Sequence, residues 1–168
     1  MSKGTVNFAG TPQQRGMALL VSLVMLLLLT MIGISSMQNA TLQEKMATSV
    51  MARNQSFQLA ESALRVGETA VAPKAFTLTK CAGTAACAPP VDAATVAAAG
   101  TGRNDVVWVA SDKGFYAIQN IGTTMHPVNA PDGCTGSATS VTLYRITGVG
   151  DFGTNRSIVE SIYAKCGG

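Results

Sequence analysis

The residues that could do chemistry are few and dispersed. Gly148-Val149-Gly150-Asp151-Phe152-Gly153 has the G-x-G-x-x-G spacing of a dinucleotide-binding turn, where glycines let the backbone approach a pyrophosphate. That chemistry needs a helix to follow, and Ser157 to Lys165 alternates as a strand instead, so the segment reads as a glycine-rich hairpin loop. His126 is the single histidine and precedes Pro127, which leaves neither a histidine metal cluster nor a His-based triad to build. Asp92, Asp105, Asp112, Asp132 and Asp151 lack the spacing of an EF-hand loop. Trp108, inside the short alternating segment Asp105 to Ala110, reads as a packing aromatic. No catalytic residue, metal ligand or cofactor is expected.

The cysteines carry the remaining reactive chemistry. Cys81, Cys87, Cys134 and Cys166 are even in number and all lie beyond the long apolar segment Met17 to Ile34, none within or before it, which fits two disulfides in an oxidising compartment. Cys81 and Cys87 are six apart, unlike a redox or zinc pair, so a structural bridge is expected between them. Four cysteines allow three connectivities. Cys134 precedes the first strand of the last expected hairpin and Cys166 follows the second, which favours Cys134 with Cys166 and Cys81 with Cys87.

These features must be positioned by a chain of 168 residues, 47% hydrophobic and only 12% charged, which suits one ordinary domain with an appendage and excludes charge-driven disorder. The shortage of charge is local. No charged residue occurs between Arg15 and Glu44, and Met17 to Ile34 is interrupted only by Ser22, Thr30 and Gly33. As a helix that run spans roughly 27 Å, enough to cross a bilayer. Its leucines, valines and isoleucines each favour insertion by up to about half a kcal/mol. Discounting Lys3 and Arg15, which precede the run, ten basic residues face nine acidic ones, so there is no basic patch for nucleic acid.

The junction before the run is informative. An ordinary signal peptide has a shorter apolar core ending at a small-x-small site, and the best candidate here, Gly33-Ile34-Ser35, is poor. Gln14-Arg15-Gly16-Met17-Ala18-Leu19-Leu20 instead places a basic residue and a glycine where a polar leader meets the apolar segment, and this resembles a type IV prepilin. The resemblance implies cleavage by a prepilin peptidase between Gly16 and Met17, N-methylation of Met17, and retention of the helix. Glycine suits such a scissile bond because it carries no side chain to obstruct an extended backbone.

Helical spacing continues past the apolar run, with Leu42, Met46, Val50, Phe57, Ala60, Leu64 and Val71 on one stripe and charged residues on other faces. Glu61 and Arg65 form a favourably oriented i, i+4 pair. One helix from Met17 to about Ala70 would be near 80 Å long, with Gly33 as a weak point. Its first half needs lipid or other helices, and its second half needs a globular partner along the stripe. After Pro73 the composition turns to Ala, Gly, Thr and Pro, a loop-rich connector. Strands are predicted over Asp105 to Ala110, Phe115 to Ile121, Val141 to Val149 and Ser157 to Lys165, with a turn at Asp112-Lys113-Gly114 and a loop from Gly150 to Asn155.

Thr41-Leu42-Gln43-Glu44-Lys45-Met46-Ala47, and then Phe57-Gln58-Leu59-Ala60-Glu61-Ser62-Ala63-Leu64-Arg65-Val66-Gly67-Glu68, resemble the N-terminal region of PilX-type minor pilins over roughly Gly16 to Glu68. Tyr144 to Gly150 and Ser161-Ile162-Tyr163 are similar to that family's closing strands. One departure from ordinary major pilins is Val21, which stands where most carry a glutamate. In a filament that carboxylate is thought to meet a neighbour's N-terminal ammonium, and a subunit added first has no earlier neighbour to neutralise.

The resemblance implies an α+β type IV pilin fold, a long N-terminal helix packed on an antiparallel sheet of about four strands. The expected parts are a leader (1–16), a transmembrane or filament-core half of the helix (17–38), an amphipathic half (39–71), a connector (72–104) and the sheet domain (105–168). It further implies a non-enzymatic minor pilin that primes type IV pilus assembly at the tip and supports twitching motility and adhesion. Its implied partners are other minor pilins and the major pilin, the pilus-tip adhesin, prepilin peptidase, the inner-membrane assembly platform, and membrane lipid before assembly. The chain would sit in the bacterial inner membrane with its C-terminal domain periplasmic, then at the cell surface in the pilus. The alternatives are a K-type pseudopilin of a type II secretion system, whose large helical insertion is missing here, and a single-span periplasmic binding protein that never polymerises.

Overall fold

The computed structural model describes residues 14–128, 134 and 140–166. Its first element is a single helix, α1 (Gln14–Val71). It starts ahead of the expected Met17 and continues through Gly33 without a break, because flanking Leu, Met and Ile outweigh the cost of about 1 kcal/mol for one glycine. The hydroxyls of Ser22 and Thr30 donate to the carbonyls of Leu19 and Leu27 at 2.9 and 2.8 Å, so polar side chains within the apolar run are satisfied by its own backbone.

The chain divides into two units, residues 1–48 and 49–168. In the first, the described residues are all helical, and every side chain described is exposed. The second contains the end of α1, a connector with the one-turn helix α2 (Gly83–Ala86), and an antiparallel sheet. The strands are β1 (Gly100–Thr101), β2 (Val107–Ser111), β3 (Gly114–Thr124), β4 (Val141–Phe152) and β5 (Asn155–Cys166), and they lie side by side in chain order.

Three expectations are corrected. The sheet has five strands rather than about four, because two-residue β1 pairs Gly100 with Trp108, and a piece that short has no alternation to read. The last hairpin has no long loop. Pairing reaches Phe152 with Asn155, leaving the two-residue turn Gly153-Thr154, with Gly153 at φ 60°, where a tight hairpin favours glycine.

The third correction concerns the helix stripe. Leu42, Met46, Val50 and Phe57 are exposed, while Ser56, Ala60, Ala63, Leu64, Gly67 and Val71 are buried. The sheet's hairpin end meets the helix at Ser56, whose Oγ lies 2.7 Å from Ser157 Oγ. Small residues fill the seam because β4 offers Gly148 and Gly150 there. A Cβ on Gly148 would strike Ala60 O and the Leu64 backbone, and one on Gly150 would strike the backbone at Ser56, Leu59 and Ala60.

The sheet is covered on both faces. On one, Leu64 and Val71 pack with Tyr144 and Ile146, joined by Phe76, Ile118, Val159 and Tyr163. On the other, Ala93 and Val96 of the connector close over Trp108, Ala117 and Val149. Being sandwiched makes Ile146 to Gly150 buried without interruption, where a one-sided strand would alternate.

Two cations pin the connector. Arg156 clamps Asp151 with two 2.7 Å bonds and donates to Val96 O at 2.8 Å and Ala93 O at 3.4 Å. Lys165 Nζ donates to Pro73 O at 2.6 Å and Phe76 O at 2.9 Å, fixing the exit from α1. Asp92 Oδ2 accepts from Trp108 Nε1 at 3.1 Å and Arg103 N at 2.9 Å, which ties the connector to the core tryptophan.

Two outcomes follow from this packing. Gly150→Val forces the helix off β4 and should destabilise the distal domain by about 3 kcal/mol, near the upper end for overpacking, read as a lower melting temperature by circular dichroism in detergent. Arg156→Met removes the clamp and both carbonyl contacts at once. It should cost about 2 kcal/mol, with faster amide exchange over residues 90–97, and unchanged exchange there would refute the pinning role.

Candidate functional site: the uncovered apolar helix

Leu, Met, Val and Ile dominate α1 from Met17 to Ile34, and their side chains point outward in all directions because none has a partner among the described residues. Met17, Val21, Leu26 and Leu29 are 65, 55, 66 and 68% exposed. Monomeric soluble proteins rarely show more than a few hundred Å² of contiguous apolar surface, so this segment requires lipid or other apolar helices around it. From Gly16 onward α1 is long and apolar enough to cross a membrane.

Gly16 and Met17 both lie inside α1, and a Cβ on Gly16 would meet open space. Val21 sits within the apolar turns, with no charged residue between Gly16 and Gln43 to pair with. Lys3, like the rest of residues 1–13 of the expected leader, lies outside the described residues.

The cysteines lie in the second unit. Cys81 and Cys87 are bonded, with Cα atoms 5.2 Å apart, and so are Cys134 and Cys166, at 5.6 Å. The first bond closes a small loop whose carbonyls are gathered by the sheet. Gln119 Nε2 donates to Ala86 O and Ala88 O at 2.8 and 3.0 Å, and Arg145 donates to Cys87 O at 2.6 Å. The second bond fastens the segment before β4 to the end of β5, where Val141 faces Cys166. Both bonds brace the domain.

The other residues weighed for chemistry are placed in structural roles. Gly148 to Gly153 runs along β4 into the hairpin turn and is followed by a strand. Trp108 is buried in the connector-side core. His126 is exposed just past β3, its backbone N–H bonded to Thr124 Oγ1.

Sequence reasoning missed the seam of Ser56, Ala60, Gly148 and Gly150, and the pins at Arg156 and Lys165. The seam had a signal, two glycines at alternate positions of one strand, which marks a close backbone approach. The pins had none, since their carbonyl partners are remote in the chain.

Residues 15–65 match the family model described as PilX N-terminal. No curated protein and no solved structure gives a match. The matched stretch holds the glycine junction, the entire apolar run and the helix turns that the sheet buries through Leu64. A long N-terminal helix with an apolar first half, a second half seated on an antiparallel sheet, and this family match over residues 15–65 together support a PilX-type type IV pilin.

Proposed function

We propose that this chain is a minor pilin that takes part in type IV pilus assembly, priming it and occupying the pilus tip, in support of twitching motility and adhesion. The observation that carries this reading is the uncovered apolar length of α1, which continues into the turns held by the sheet. A helix of that kind serves first as a membrane anchor and then as a bundle element, and a pilin-family chain is a structural protein rather than a catalyst.

In this reading prepilin peptidase cuts between Gly16 and Met17 on the cytoplasmic side, and Met17 becomes the methylated N-terminus. The sheet domain stands in the periplasm, where its disulfides form. Other minor pilins and the major pilin then replace lipid around Met17 to Ile34 as the assembly platform moves the subunit into the filament, and the distal domain is presented to the tip adhesin. Val21 lets the chain enter without a carboxylate that would demand an earlier neighbour's ammonium.

Processing is tested by mass spectrometry of the mature chain from cells with and without prepilin peptidase. The expected product begins at N-methylated Met17, and Gly16→Val blocks its formation. Recovery of a mature chain that still carries Met1 from peptidase-positive cells would remove the pilin reading in favour of a fixed single-span protein.

Val21→Glu tests the initiating role. A carboxylate in the apolar turns costs a few kcal/mol unless it is paired. In a first subunit it stays unpaired, so piliated cells should fall in number by electron microscopy while the chain's own level holds. Normal piliation would show that Val21 carries no such role.

A further inference from the structure

The two edges of the sheet are treated differently. The β1 edge is two residues long, and short edge strands resist pairing with other chains. The opposite edge is β5, twelve residues with no proline and a regular register against β4 from Val141–Cys166 to Phe152–Asn155. Among the described residues no strand lies on its far side. Half of its backbone N–H and C=O groups therefore face outward in an unbroken row.

Charge, lysine and arginine above all, would ordinarily guard such an edge, and here the basic residues are withdrawn. Arg156 is turned onto Asp151, Ala93 O and Val96 O, and Lys165 onto Pro73 O and Phe76 O. What remains along the connector-side face of the strand is Ile158, Glu160 and Ile162. The isoleucines are 44 and 52% exposed. Glu160 accepts from Thr147 Oγ1 at 3.0 Å and pairs with Arg145 Nε at 3.9 Å, a long ion pair. Its side chain remains 34% exposed, so part of the carboxylate is open to a second cation on the outward side.

We propose that β5 is a docking edge that takes an extended strand of a partner polypeptide by backbone pairing, the incoming strand carrying apolar, basic and apolar side chains at alternate positions beside Ile162, Glu160 and Ile158. The hydrogen-bonding row requires a strand and excludes a helix as occupant, the isoleucines set the apolar positions, and Glu160 sets the charge between them. This surface is separate from the apolar helix, and its occupation does not depend on the bundle reading.

The test uses the full chain in detergent micelles and a synthetic seven-residue peptide with valine, lysine and valine at alternate positions separated by threonine, followed by amide hydrogen exchange. Alternate amides of β5 should slow by at least roughly tenfold on peptide addition, while those of β4 do not change. Glutamate in place of the peptide's lysine should weaken binding by about fivefold, the scale of one cross-strand charge pair, and Glu160→Gln should erase that difference. Backbone N-methylation of the peptide should abolish the effect. The proposal is overturned if the outward β5 amides of the free chain already exchange as slowly as those of β4, if the N-methylated peptide protects equally, or if the lysine peptide at millimolar concentration leaves β5 unchanged.

Discussion

The contact on which the distal domain rests is the near approach of two backbones, α1 at Ser56 and Ala60 against β4 at Gly148 and Gly150. A helix normally sits on a sheet through interlocking large side chains. Here side chains are absent from one partner and small on the other, so the distance is set by main-chain atoms. Dispersion falls steeply with separation, so such a seam holds firmly but tolerates no added methyl. It also fixes which turns of α1 are buried, and therefore which are left uncovered.

From that seam the rest of the second unit follows in layers. Ile146 and Tyr144 extend the helix-side core toward Val71 and Phe76, and Val149, one position from the glycines, turns to the other face and seeds the core with Trp108. The connector that seals this second face has little secondary structure and few large apolar residues, so it depends on polar and covalent ties. Arg156 holds residues 93 and 96, Asp92 holds Trp108, Gln119 and Arg145 hold the Cys81–Cys87 loop, and Cys134–Cys166 closes the strand ends. Domains of this size gain proportionately more from cross-links than larger ones do, because less of their surface is buried on folding.

A single helix thereby serves two solvents. Its last turns are seated by small residues on a sheet, and its first turns are clothed in leucine with nothing to pack against among the described residues. The two faces of the requirement do not compete, because the seam uses Ala, Ser and Gly, which would be poor choices for the apolar run, while the run uses Leu and Met, which could not enter the seam. The division lets the apolar turns meet lipid or other helices while the distal domain keeps its own core.

Composition and periodicity alone determined the apolar run, the helix that carries it and four of the strands, because each depends on local pattern, whereas the pairing of the four cysteines was only favoured by their order and fixed by the fold. The Arg15-Gly16-Met17 junction and the Leu42 to Glu68 pattern were equally legible, being contiguous. Only the tertiary structure decided that Leu42, Met46, Val50 and Phe57 stay outside while Ala60 and Gly67 go in, since helical spacing fixes a face but not how far a sheet extends along it. It likewise decided that Arg156 and Lys165 turn inward and leave β5 flanked by isoleucines. Apart from Asp151, which takes two bonds from Arg156, their acceptors are backbone carbonyls some sixty to ninety residues away, and a carbonyl looks the same at every position of a sequence.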